Sequence, residues 1–173
     1  MPRRLALLAA AAVVLLVPST ASATTLVLPD GTQRPQPYQS WVDRAKVPTP
    51  PGVVTLRLEG CDGLAGCAPE GQEVVAVARE WMSPQVLLHE LGHVFDDAMP
   101  AWARPRFEAL VGKHGPWASA AGSGPPNEQF AEAYSLCARR TRIRERYYGS
   151  YDFSVTPGQH RRICALIRAA SAP

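Results

Sequence analysis

Residues 86–97 read "VLLHELGHVFDD", and the pattern His89-Glu90-x-x-His93 inside them constrains the fold more than any other stretch. On an α-helix, where each residue advances by about 100°, two imidazoles four residues apart lie one turn apart on one face. Leu87, Leu88, Leu91, Val94 and Phe95 fall on the opposite arc, so this chain must hold an amphipathic helix with its apolar side in a core. His89, His93, Asp96 and Asp97 share the polar side. Ser83-Pro84 supplies a capping hydroxyl and a proline at the first helical position, which predicts a helix over 84–98.

The elements around it follow from punctuation. "VVTLRLEG" (53–60) and "QEVVAVARE" (72–80) alternate in the manner of paired strands, with the glycine-rich "CDGLAGC" between them. Residues 74–78, "VVAVA", are the expected sheet edge for an extended peptide. Later helices are expected at 105–114, from a cap at Asn127 to about Arg140, and over 156–170, where Thr156, Pro157 and Gln159 form a capping box. Residues 115–126 read as a loop. Six prolines in residues 24–52 predict an extended arm lying over a domain of residues 53–173, with one helical turn near Trp41.

The start of the chain, "MPRRLALLAAAAVVLLVPSTASA", joins Arg3 and Arg4 to an apolar run from Leu5 to Val17 and small residues at Ala21 and Ala23. That is the pattern of a secretory signal peptide over residues 1–23, too short to span a membrane stably, and it implies export. Of the 18 basic residues, Arg3 and Arg4 belong to this leader; the remaining 16 face 15 acidic ones, so neither nucleic acid nor a membrane surface is an expected partner. The basic run "ARRTRIRER" (138–146) is read as a solvated helix face. Export also gives the four cysteines a role: Cys61 with Cys67 across a short loop, and Cys137 with Cys164 between two helical segments. His114 and His160 are expected at the surface, and Trp41, Trp81, Trp102 and Trp117 in packing roles.

His89 and His93 at this spacing can share one zinc ion, with Glu90 as the base that accepts a proton from the water the metal activates. A catalytic zinc needs a third protein ligand and an open position. The longer HExxHxxGxxH form is excluded, because Asp96 and Met99 stand where glycine and histidine are required. Glu128 and Glu132, one turn apart on the later helix, are the alternative: Glu128 as ligand, Glu132 as the acceptor that orients a histidine, and Asp97 as a further orienting candidate.

"LLHELGHVFDD" followed by "NEQFAEAY" resembles the catalytic domain of anthrax lethal factor and the related Pro-Pro endopeptidases, over residues 86–97 and 127–134. The resemblance implies an α+β, zincin-like metallopeptidase domain of the gluzincin type, mainly helical with a small sheet before the HExxH helix. It assigns one zinc ion to His89, His93 and Glu128, with Glu132 in support, and implies hydrolysis of peptide or protein substrates by a secreted monomer. Members carry a tyrosine shortly before the glutamate ligand to hold the oxyanion; "WASAAGSGPP" has none, so Tyr147, Tyr148, Tyr151 or His160 is expected to fold back. "LEGC" before HExxH also resembles peptide deformylase, but that family is cytosolic and Cys61 has a disulfide partner close by. The non-enzymatic alternative is a secreted zinc-binding interaction module with little turnover.

Overall fold

A computed structural model describes residues 23–118 and 124–171; most of the leader, and part of the loop expected over 115–126, lie outside them. The chain is mixed α and β. Strand β1 (Thr25–Val27) and helix α1 (Tyr38–Asp43) precede β2 (Val53–Arg57), β3 (Gly66–Cys67) and β4 (Val74–Val77). After a 3₁₀ turn at Arg79–Trp81 come α2 (Pro84–Asp97), α3 (Ala103–Val111) and α4 (Pro126–Arg139). The short strands β5 (Tyr147–Tyr148) and β6 (Ser154–Val155) and helix α5 (Pro157–Ala170) complete it.

The sheet runs β1-β2-β4-β3, with the first three strands parallel and β3 antiparallel to β4. Two expectations change here. Residues 24–52 are woven into the domain: Leu26 is fully buried, and β1 is closed by Gln39, whose Oε1 accepts from Leu26 N at 2.8 Å and whose Nε2 donates to Thr24 O at 2.9 Å. Proline density breaks the helices and strands of this stretch without preventing a three-residue strand between them. The segment 74–78 is also not an edge, because β3 pairs with its outer side and becomes the edge itself.

Helix α2 starts as expected: the Ser83 hydroxyl accepts from Val86 N at 3.2 Å and Pro84 follows. Helix α5 carries the Thr156–Gln159 capping box. Helix α4 departs from expectation. It starts at Pro126 behind Pro125, so Asn127 sits inside the first turn and caps nothing. It also ends at Arg139, so residues 140–146 of the basic run form a loop and not a helix face. Both disulfides, Cys61–Cys67 and Cys137–Cys164, form as paired in the sequence reading.

The core lies between the sheet and the crossed helices α2 and α4, and includes Leu87, Leu91, Phe130 and Tyr134. His160 is only 1 % exposed, contrary to expectation. Its Nε2–H donates to Arg140 O at 3.0 Å, which leaves Nδ1 facing the Cys137–Cys164 sulfurs, and burial lowers its pKa. Trp81 and Trp102 are exposed, whereas Trp117 packs on the core and donates its ring N–H to Asp96 at 2.6 Å.

Gly92, between the two motif histidines, sets how closely α2 and α4 approach. A Cβ there would lie 2.9 Å from Ala131 Cα and 3.2 Å from Tyr134 Cβ. Gly92→Ala gains about 1 kcal/mol of helix propensity, but overpacking a helix crossing costs about 1–3 kcal/mol. The expected result in urea unfolding is a net loss of stability of about 1 kcal/mol. Equal or greater stability would show that the crossing can open to admit a methyl group.

Candidate metal centre

Packing the polar faces of α2 and α4 against each other brings the motif residues together. His89 Nε2 lies 3.1 Å from Glu128 Oε2, and His93 Nε2 lies 3.5 Å from Glu128 Oε1. One donor atom each from His89, His93 and Glu128 can be chosen so that all lie within 4.8 Å of one another. Glu132, one turn along α4, presents Oε2 at 3.5 Å from His89 Nδ1. The two ring nitrogens of His89 are therefore divided between the two glutamates. If Nδ1 carries the proton toward Glu132, Nε2 offers its lone pair on the Glu128 side.

Glu132 is itself held. The Tyr147 hydroxyl donates to its Oε1 at 2.8 Å, and Gln85 Nε2 donates to the same oxygen at 3.4 Å. Gly149 makes room for it, since a Cβ there would meet Glu132 Oε1 at 2.6 Å. Gln85 and Gly149 were not foreseen. Gln85 had a signal, one turn before His89 on the same helical face, whereas a residue that serves by having no side chain leaves none.

The imidazoles and carboxylates shift one another. Burial alone would lower the pKa of His89, yet its hydrogen bonds to Glu128 and Glu132 win and raise it to about 9. Burial works against Glu128 as well, but both histidines hold it well below the usual carboxylate range. Glu132 is lowered in the same way by His89 and Tyr147. The cluster thus favours a protonated His89 between the two carboxylates. Nitrogen and oxygen donors that leave one side open suit zinc, so the residues fit the metal.

The open side is a cleft of about 320 Å³ lined by Glu90, Gly66, Gln85, Ser150 and Tyr151 together with the donors. Glu90 is 5 % exposed, and burial raises its pKa although His89 and His93 pull the other way. Gly66 on β3 leaves it space, since a Cβ there would stand 2.7 Å from Glu90 Oε1.

Of the four candidates to fold back, the structure brings Tyr151 to the cleft. Its ring stacks on His89, with centroids 5.5 Å apart and 26° between planes. Burial, with Glu128 and Glu90 nearby, pushes its phenol up to about 12. Tyr147 serves Glu132, Tyr148 is exposed on β5, and His160 lies under the disulfide. Tyr151 and Asp152 adopt φ of 56° and 55°, the left-handed region, where a non-glycine residue costs about 1 kcal/mol or more. That turn is clamped by Gln129, the neighbour of Glu128: its Nε2 donates to Tyr151 O at 3.0 Å and to Gly124 O at 3.2 Å.

Asp97 does not reach the site. Its Oδ2 accepts from Gly71 N at 2.7 Å, tying down the loop between β3 and β4.

Comparison with models of known protein families, with curated proteins and with solved structures gives no match for this chain, so the chemistry of the site rests on its side-chain geometry.

Proposed function

We propose that the protein is a zinc-dependent metalloendopeptidase of the gluzincin type, exported and acting on peptide or protein substrates. The observation that carries this reading is the convergence of His89, His93 and Glu128 at one end of a cleft that also holds the buried carboxylate of Glu90. Bound there, zinc supplies Lewis-acid polarisation of a scissile carbonyl and brings the pKa of water toward neutrality. His89, His93 and Glu128 would hold the ion, with Glu132 keeping the His89 ring in orientation.

Glu90 accepts the proton of the attacking water at its carboxylate and passes it to the departing amine; a pKa raised by burial suits both halves of that task. Tyr151 keeps its proton at neutral pH and donates a hydrogen bond to the carbonyl oxygen as negative charge develops there. The unpaired side of β3, Gly66–Cys67, offers backbone groups to an extended peptide and is held by the Cys61–Cys67 disulfide. A zinc-binding module without turnover would have no use for a base buried beside the donors.

Metal analysis of the purified protein, paired with cleavage of a mixed peptide library with and without a chelator, tests the reading. One zinc per chain with chelator-sensitive cleavage is expected; stoichiometric zinc without cleavage of any peptide would overturn the enzymatic part. The two tyrosines should separate. Tyr151→Phe removes only a hydroxyl and should lower kcat by about 10²–10³ with zinc content unchanged. Tyr147→Phe loosens Glu132 and should instead weaken zinc affinity by about tenfold or more. Equal effects on kcat and metal affinity in both variants would remove the oxyanion role of Tyr151.

A further inference from the structure

The loop of residues 140–146 plays no part in the site described above, and its conformation gives it another use. It carries four arginines against one glutamate, whereas the rest of residues 24–173 carries twelve basic against fourteen acidic side chains. Arg140, Arg142, Arg144 and Arg146 are all exposed and bound a depression of about 430 Å³. Among the described residues none of the four makes an ion pair. The fold does not need their charges to place the loop: Arg140 N donates to Leu136 O at 2.8 Å, His160 Nε2–H donates to Arg140 O, and Ile143 packs against the core. Glu145 is the one carboxylate that lines the same depression, so the loop keeps a net positive charge.

The depression adjoins the metal cleft through one side chain. Tyr147 forms its wall and donates to Glu132, and the chain continues through Gly149 to Ser150 and Tyr151, which line the cleft. Arg146 lies four residues before Ser150, within about 14 Å along the chain. A bound peptide in extended form advances about 3.3 Å per residue, so its side chains about four positions from the scissile bond reach the arginines. Carboxylates are the complementary groups, because guanidinium pairs with them in planar, two-pronged geometry.

We propose that residues 140–146 form a binding site for the acidic flank of an extended peptide substrate, so that the enzyme selects chains with Asp or Glu a few residues from the bond it cuts. The inference rests on the peptidase reading for its biological use, but the binding itself is independent of turnover. It is tested on Glu90→Gln protein, loaded with zinc, by fluorescence anisotropy of labelled hexaglutamate and hexaglutamine. The glutamate peptide should bind about tenfold more tightly at low salt, and the advantage should fade between about 50 and 500 mM NaCl. Arg144→Ser/Arg146→Ser should erase most of the advantage while leaving zinc content and the hexaglutamine affinity unchanged.

Equal affinities, or an advantage that survives the double replacement, would overturn the proposal; so would a heparin oligosaccharide binding through these arginines while hexaglutamate does not. Library cleavage by the wild type separates the two readings. Cleavage without preference for acidic flanks removes the binding site and spares the peptidase, whereas hexaglutamate binding without any cleavage does the reverse.

Discussion

Glu90→Gln is expected to abolish peptide cleavage by a factor of about 10²–10⁴ while the protein keeps its zinc. The separation follows from placement. Glu90 is not among the three donors that converge on the candidate metal position, so replacing it leaves them intact. Glutamine has the same shape as glutamate and fits the space left by Gly66, where even a methyl group would approach the carboxylate to 2.7 Å. What is lost is a basic oxygen in a buried place. Burial raises the Glu90 pKa, so its unprotonated, active form is depleted at a higher pH than for an ordinary carboxylate. In the wild type kcat/KM should therefore fall as pH falls through that raised pKa, and the limb should vanish from the residual activity of Glu90→Gln. Activity within tenfold of wild type would remove the general-base role, and loss of zinc in the variant would make Glu90 a ligand.

How much of this site could be read beforehand depends on whether the governing interaction is local. The α2 cap at Ser83, the α5 capping box and the short Cys61–Cys67 loop are settled within a few residues, and each forms as its sequence implies. The alignment of Glu128 with Glu132 is local too, and so are the paired histidines. Helical periodicity says which side chains share a face, but not what covers that face. Periodicity alone leaves open whether the polar sides of α2 and α4 face solvent; in the fold they cover each other, with His89 and Glu132 buried 3.5 Å apart. Tyr151 belongs to the same class of problem. It arrives from a turn 19 residues beyond Glu132, in a backbone conformation that its own type disfavours, and is held by Gln129 from another element. The basic run failed for a different reason: its composition suits a helix, but the chain leaves α4 at Arg140, whose carbonyl is taken by buried His160.

Glu128→Ala should cost the protein its zinc and with it all metal-dependent cleavage. Two histidines alone hold zinc far less tightly than three donors, and the carboxylate also neutralises part of the ion's charge inside a mostly buried site. The same substitution has a second readout in metal-free protein, where His89 and Glu128 stabilise one another. In the wild type the folded pKa of His89, about 9, lies above its ordinary 6.5. Its contribution to stability is therefore fully present below about pH 6.5 and lost as pH rises through about 9. Glu128 is shifted the other way, so its contribution is present above its ordinary 4.5 and lost as pH falls. Removing Glu128 takes away the larger of the two hydrogen bonds that raise His89, leaving the one from Glu132. NMR titration of the His89 ring should show its pKa falling toward the ordinary value, and the loss of metal-free stability between pH 6.5 and 9 should shrink. Zinc competes with that proton, so wild-type affinity for the ion should weaken as pH falls below about 9, and more steeply than in Glu128→Ala. Full zinc retention by the variant would overturn the assignment of the third ligand, even if cleavage were lost.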